Sequence, residues 1–345
     1  MNGLTYPISS FMEEWISFLR NKEGDRAGEL LLEACLYQGG ISRLCEVARV
    51  EFSRYPVLFK YACEYLFNEN RDLECEKLGL EATNLISEDL IIRGEIEDIT
   101  SKAATRLKHL DIVEKCYEAE FYSKSTLNNY LRLFELPYYE NIIDKATKHA
   151  ETLPENSMSK FDYYNKQMRM NNLSEDYKDV IKFFNGEFEY IYNKCKKDKS
   201  TLGWSSGFKG IGVPLFILLL YKDKKATKAR EQLMNSIIYR VGFVEADIES
   251  FSNKFLNWKE KQVLTEKQYE KYIEWLKKEV DKRVEAVVGG GYRKSYYKAA
   301  ILIATLGETL ESNGMSNGKV VTIEHYKKMH SRKSAFKAEF ESFNE

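Results

Sequence analysis

Apolar residues recur along this chain at three- and four-residue intervals, and short polar or glycine-bearing turns interrupt them. Phe11, Trp15 and Leu19 stand at i, i+4 and i+8, which puts them on one face of an amphipathic helix. From Glu29 the pattern becomes paired. ELLLEACLYQ stops at Gly39-Gly40, and ISRLCEVARVEFSRYP carries Leu44, Val47, Ala48 and Phe52 on one stripe up to Pro56. VLFKYACEYLF runs to Asn68–Asn70, and LECEKLGLEATNLI follows. A further pair turns at Gly94, and DIVEKCYEAEFY, STLNNYLRLFE and Tyr138–Leu153 lead to Pro154. Turns near 40, 69 and 94 with breaks near 56 and 87 set a period of about 25–31 residues, in the range of helix-turn-helix repeats. Ala34, Ala48, Ala62, Ala82 and Ala103 fall where paired helices would approach closely. No segment sustains strand alternation. The expected fold class is all-α, a superhelical array of antiparallel helix pairs.

Residues 155–201 are more polar. Phe161, Tyr163 and Tyr164 are expected to open one helix, and VIKFFNGEFEYIYNKC to form a second, broken at Asn185-Gly186. Leu202–Tyr221 then combines four glycines, a tryptophan and the longest apolar run of the chain. Gly203–Gly212 reads as a tight inter-helix connection, a hinge between two helical halves, because glycine reaches positive φ without steric cost. Pro214 fits the first turn of the buried helix that follows. Further on, Thr265–Gln268 has the spacing of a capping box. The helix it opens carries Tyr269, Tyr272, Ile273, Leu276, Val280, Val284 and Val287 on one face and ends at Gly289-Gly290-Gly291. The expected divisions are an N-terminal helix and turn (1–28), paired helices (29–155), a helical middle region (156–288) and a helical C-terminal segment (289–345).

With Tyr37, Gly40, Ala48, Phe52 and Pro56 as its best-matched set, the region 29–155 resembles tetratricopeptide-like (TPR-like) repeats. That resemblance implies a right-handed α-solenoid whose neighbouring pairs share a continuous core. The C-terminal segment carries a second resemblance on Arg293, Tyr297, Ala299-Ala300, Leu306 and Gly314, followed by Tyr326, Arg332-Lys333 and Ala335-Phe336. These positions look like the helical tail of bacterial proteins that carry a SWIM-type zinc finger. The cysteine and histidine ligands of that finger have no match here, so its zinc and DNA roles do not carry over. What the likeness implies is a helical extension used for contacts.

Composition narrows the class. With 43% hydrophobic and 30% charged residues among 345, the chain has the make-up of a folded protein rather than a disordered one. Its charge is uneven. Residues 1–150 hold 18 Lys and Arg against 26 Asp and Glu, residues 151–288 hold 25 against 21, and residues 289–345 hold 9 against 6. An acidic first half and a mildly basic second half suit different partners, or each other. Cys35, Cys45, Cys63, Cys75, Cys116 and Cys195 form no CxxC pair and read as reduced core residues of a cytoplasmic protein. The opening stretch lacks a basic region followed by an apolar core, so no secretory signal is expected. The apolar run Val213–Tyr221 is far short of the ~20 residues that span a bilayer.

Candidate chemistry is sparse. GFKGIG (Gly207–Gly212) lacks the spacing of a phosphate loop or a dinucleotide fingerprint and reads as a close helix connection. GGGYRKS has two readings. Free amides of Gly289, Gly290 and Gly291 at a helix start, with Arg293, Lys294 and Ser295 as side-chain donors, would hold an anion; otherwise the segment is a break between helices. Lys319, Lys327, Lys328, Arg332, Lys333 and Lys337 interleave with His325, Tyr326 and Phe336. They suit either single-stranded nucleic acid or a terminal amphipathic helix with its aromatics in the core. His109, His149, His325 and His330 do not converge in sequence with cysteines, and no metal, cofactor or catalytic set is expected. The leading expectation is a non-enzymatic interaction module or scaffold, with a partner protein or peptide on its concave face or in a groove beside Trp204 and Phe208. Nucleic-acid or phosphate-ligand binding through the basic second half is the alternative.

Overall fold

Seventeen α-helices and no strand occur among the residues the computed structural model describes, 8–155, 163–200, 207–243 and 248–343. The chain forms two compact units, Met1–Glu175 and Asp176–Glu345. In the first, α1 (Ile8–Arg20), α2 (Asp25–Glu51), α3 (Val57–Asn68), α4 (Asp72–Leu85), α5 (Ile91–Leu107), α6 (Leu110–Ser123), α7 (Leu127–Leu133) and α8 (Tyr139–Thr152) each pack on the next along the chain, except that α8 meets both α6 and α7 and α5 also meets α3. Leu31, Leu44, Leu58, Phe59, Leu78 and Ile96 lie in a core shared by α1 to α5.

Local signals place many of these boundaries. Helix α2 is two helical segments joined at a kink, with Gly39 and Gly40 outside helical geometry and Gly40 at φ +63°. Asn70 and Lys108 take left-handed backbone after α3 and at the end of α5. The five alanines named above are all buried.

Gly94 is a correction. It sits inside the unbroken helix α5, not at a turn. A Cβ there would lie 2.8 Å from Lys124 Cβ and 3.2 Å from the Glu120 carbonyl, so its lack of a side chain serves close approach to α6. Gly79 of α4 does the same toward α5, where an added Cβ would overlap the Thr100 side chain.

A second departure is the stretch after Tyr164. Beyond a single 3-10 turn at Lys166–Met168 it is extended, with Asn165, Gln167 and Asn171 buried. This strap meets backbone groups that helix starts leave unsatisfied. Gln167 Oε1 accepts from Val57 N at 3.4 Å, and the Arg169 carbonyl accepts from Ile91 N at 3.0 Å. Asn171 Oδ1 accepts from Ser125 N at 3.2 Å, while its Nδ2 donates to the Tyr122 carbonyl and to Ser125 Oγ, both at 2.9 Å. The Asp25 carboxylate in turn accepts the strap amides of Lys166 and Gln167.

The second unit contains α9 (Glu175–Phe184, beginning one residue before it), α10 (Phe188–Lys197), α11 (Lys209–Leu220), α12 (Lys228–Ile237), α13 (Ile248–Glu260), α14 (Glu266–Val284), α15 (Tyr296–Ser312), α16 (Gly318–Met329) and α17 (Ser334–Ala338). Helix α11 is buried at every position from Ile211 to Leu220, and α15 from Ala299 to Thr309. The α11 stretch is apolar all round, as interior helices are, whereas α15 also buries Thr305, Glu308 and Thr309. Of the glycine stretch, residues 201–206 lie outside the described residues. Gly210 and Gly212 belong to α11, so the connection ends earlier than expected, and Pro214 stands in the second turn of the helix rather than the first. Gly212 allows the close approach of α10, since a Cβ would lie 2.5 Å from Cys195 Sγ. The buried end of α11 is capped from outside. Lys259 Nζ donates to the carbonyls of Leu218 and Tyr221, and Asn313 Nδ2 donates to that of Leu220. A cation there also complements the negative end of the helix dipole. The Thr265–Gln268 capping box forms as read. No helix among the described residues is long and apolar enough to cross a membrane.

Candidate functional sites

A cleft of about 650 Å³ opens in the second unit, within the ~300–1,000 Å³ range of small-molecule pockets. Five elements build it. Helix α11 supplies Gly210 and Pro214, α12 supplies Gln232, Leu233 and Ser236, and α14 supplies Arg283. Helix α15 supplies Tyr297, Lys298, Ile301 and Leu302, and the C-terminal turn supplies Glu339, Ser342 and Phe343. Arg240 enters from the turn after α12. Leu233, Ile301, Leu302 and Phe343 are buried and form an apolar floor. Tyr297 and Lys298 are exposed at the rim.

Arg240, Arg283, Lys298 and Glu339 are the charged residues of the lining among the described residues. Arg283 is 4% exposed, and burial pushes its pKa down to about 10, so it stays charged at neutral pH. Arg240 is held by its Nη2, which donates to the Gly207 carbonyl at 2.8 Å, and burial lowers its pKa as well. Lys298 Nζ lies 5.8 Å from the centroid of the Tyr297 ring. Glu339 is the sole acid of the lining among the described residues. Pro214 adds an acceptor: having no N–H, it cannot serve the Gly210 carbonyl four residues back, and both residues stand in the cleft wall. The hydroxyls of Ser236 and Ser342 donate to their own helical backbones at Leu233 and Glu339.

The second candidate is the outer face of α1. Its inner face buries Ile16 and Leu19. Ile8, Phe11 and Phe18 are left 64%, 53% and 49% exposed. Phe11, Trp15 and Phe18 form a ladder of near-parallel rings, with centroids 6.4 and 5.4 Å apart and interplanar angles of 8° and 13°. Lys22 Nζ sits 4.3 Å from the Phe18 centroid at one end.

The sequence-chosen residues fall elsewhere. Trp204 lies outside the described residues. Phe208 is buried, beneath Lys194 and beside Gly212. Gly289, Gly290, Gly291, Arg293 and Lys294 are exposed, and Ser295 half-buried, in a π-turn followed by a 3-10 turn. The amides of Gly290, Gly291, Tyr292, Arg293 and Ser295 donate to carbonyls of the same turns, and the Glu285 carboxylate lies where a Gly289 side chain would. Neither feature favours an anion. In the C-terminal segment Tyr326 and Phe336 are buried, with Tyr326 Oη donating to Asp281 at 2.6 Å. Lys319 and Lys327 pair with Glu308 and Glu324. The aromatics Tyr326 and Phe336 serve the core, while His325 is exposed.

The cleft residues Arg240, Arg283 and Glu339 were not singled out from the sequence. One signal existed for Arg283. It stands three residues after Val280 and seven after Leu276, a charge on the apolar face of α14.

No known protein family, curated protein or solved structure matches this chain.

Proposed function

We propose that this protein is a binding module that takes a partner protein in the cytoplasm, with its first unit a TPR-like array of antiparallel helix pairs and the outer face of α1 as the docking surface. The carrying observation is the stacked ladder of Phe11, Trp15 and Phe18, in which Phe11 and Phe18 are exposed while Trp15 is half-buried against the core. A contiguous aromatic ridge in water marks an interaction surface, and a helix already anchored by Ile16 and Leu19 presents it on a rigid base. An amphipathic partner segment laying its apolar side along the ridge is the matching mode. The order of packing in the first unit, each helix on its neighbours, supports the array reading. The free cysteines, nearly all buried, support a reducing compartment.

The test compares affinity capture by the wild-type chain with capture by the Phe11→Ser/Phe18→Ser double variant. Both side chains are half exposed, so the variant is expected to fold. Loss of a recurrent partner in the double variant supports the reading. Full retention of every recovered partner, with light scattering identical for the two chains, removes α1 as the docking face.

A further inference from the structure

The extended strap borders a hollow of about 330 Å³ in the first unit, which partner docking on α1 does not use. The start of α2 contributes Asp25 and Glu29 to its walls, and the strap contributes Lys166, Gln167 and Arg169. Val57 and Tyr61 of α3, with Ile91 and Ile92 of α5, add apolar surface. We infer that this hollow binds a free α-amino acid with an apolar side chain, held as its zwitterion. This goes beyond the partner-binding reading and stands without it.

Gln167 carries the argument. It is 4% exposed. Its Oε1 accepts from Val57 N, and its Nε2 has no acceptor. Turning the amide over would set one N–H against another, so the bond to Val57 fixes which end is left. A buried donor without a partner is costly, and a ligand carboxylate is the acceptor it lacks. The same carboxylate would face the starts of α3 and α5, whose first residues line the hollow and whose dipoles favour an anion. Lys166 and Arg169 make no side-chain ion pair with another described residue, so both are open to that carboxylate. The opposite charge stands on another element. Asp25 accepts the strap amides of Lys166 and Gln167, which fills part of its acceptor capacity. Glu29 pairs with Arg26 in an exposed i,i+3 contact, a weak kind of pair. These two carboxylates match a ligand ammonium. Lys60 and Glu95, 2.9 Å apart, answer each other. A simple acid would set its apolar body against Asp25 and Glu29, and a simple amine would leave Gln167 unanswered. A hollow at the lower end of the ~300–1,000 Å³ range of small-molecule pockets suits one amino acid rather than a length of peptide.

The experiment is isothermal titration of the full chain with L-leucine, isocaproate (leucine without its ammonium), isoamylamine (leucine without its carboxylate) and glycine. Leucine is expected to bind at least about tenfold tighter than each of the other three. Gln167→Glu keeps an acceptor for Val57 N and puts a carboxylate oxygen where the free donor was. It is expected to melt no lower than the parent, because a carboxylate suits the start of α3, and to weaken leucine by about tenfold or more. Glu29→Gln is expected to weaken leucine by about threefold and to leave isocaproate unchanged. Thermal melts check each fold. Glu29 is exposed, so its variant keeps the test decisive if Gln167→Glu fails to fold. Equal binding of leucine and isocaproate would overturn the role of the ammonium, and equal binding of leucine and isoamylamine that of the carboxylate. Glycine binding as tightly as leucine would overturn the role of the apolar walls. No heat from any probe, or wild-type affinity for leucine in both variants, would overturn the site.

Discussion

Lys209 Nζ lies 2.6 Å from Glu279 Oε2, and the two side chains are 2% and 5% exposed. Lys209 is the first residue of α11, where a cation opposes the helix dipole. The Glu279 carboxylate of α14 offsets that charge, and the same ammonium donates to the Asp198 carbonyl at 2.6 Å. The pair therefore ties the start of the buried helix to α14. Removing Glu279 leaves the buried Lys209 ammonium without its counter-ion inside the fold, whereas Glu279 without Lys209 still has Lys282 Nζ at 3.0 Å. Glu279→Gln is expected to destabilise the second unit by about 3–5 kcal/mol. The double variant Lys209→Met/Glu279→Leu should cost less than either single change. Hydrogen exchange of α11 amides reads the effect, and a double variant worse than both singles would refute the account.

Asn171 joins the extended strap to the chain between α6 and α7 through both ends of its amide. Asn171→Ala would leave buried Ser125 N without that acceptor and the Tyr122 carbonyl without that donor. The expected loss is about 1–3 kcal/mol. It should appear as faster exchange at Ser125 and neighbouring amides, with the second unit unchanged. Asn172, half-buried and bonded only locally, to the Met170 carbonyl two residues away, is the control, and Asn172→Ala should have less effect.

Gly79 and Thr100 fill one space between α4 and α5. Thr100 is fully buried and donates to the Ile96 carbonyl, so it has nowhere to retreat. Gly79→Ala is expected to cost about 1–3 kcal/mol through overpacking, despite alanine's better helix propensity. Gly79→Ala/Thr100→Ala should recover part of that loss in a denaturant melt of the first unit. A Gly79→Ala variant as stable as the parent would show that the two helices can separate freely.

The first unit also carries an acid whose titration opposes the usual trend. Glu120 is buried, and burial pushes its pKa up to about 7 although Arg132 Nη1 lies 2.6 Å away. The unfolded carboxyl titrates near ~4.3. Between those values the folded chain holds more protons than the unfolded one, so this group's contribution to stability falls as pH rises from about 4.3 to 7. Glu97, raised by burial as well, acts in the same direction. Glu120→Gln is expected to flatten the decline in stability of the first unit between pH 5 and pH 7.5, measured by exchange of α6 amides. A variant with the wild-type slope would assign that dependence to other groups.

Two kinds of glycine explain why sequence and structure part where they do. Gly40 ends a helical segment in left-handed backbone, a property of its own φ, and the apolar stripes on either side announce it. Gly94 and Gly79 sit within helices because a neighbouring helix passes too close for a Cβ. Nothing in the local pattern tells such a glycine from a turn, and that is why a turn was expected at 94. The strap was missed for a related reason. Gln167 and Asn171 read as solvent-exposed polar residues until helix ends distant in sequence supply their hydrogen-bond partners.

By itself the sequence determined the all-helical class, the stripe that became the buried face of α14, the break at Gly40, the limit at Pro154 and the Thr265–Gln268 cap, whereas on α1 only Leu19 of the stripe Phe11, Trp15 and Leu19 is buried. Each depends on residues within a few turns of one another, where spacing sets which side chains share a face. Only the tertiary structure decided that Gly210 and Pro214 share a cleft with Arg283, Lys298 and Phe343, and that Lys209 meets Glu279. These residues lie tens to more than a hundred positions apart, and what brings them together is the packing of buried helices, which no local period encodes.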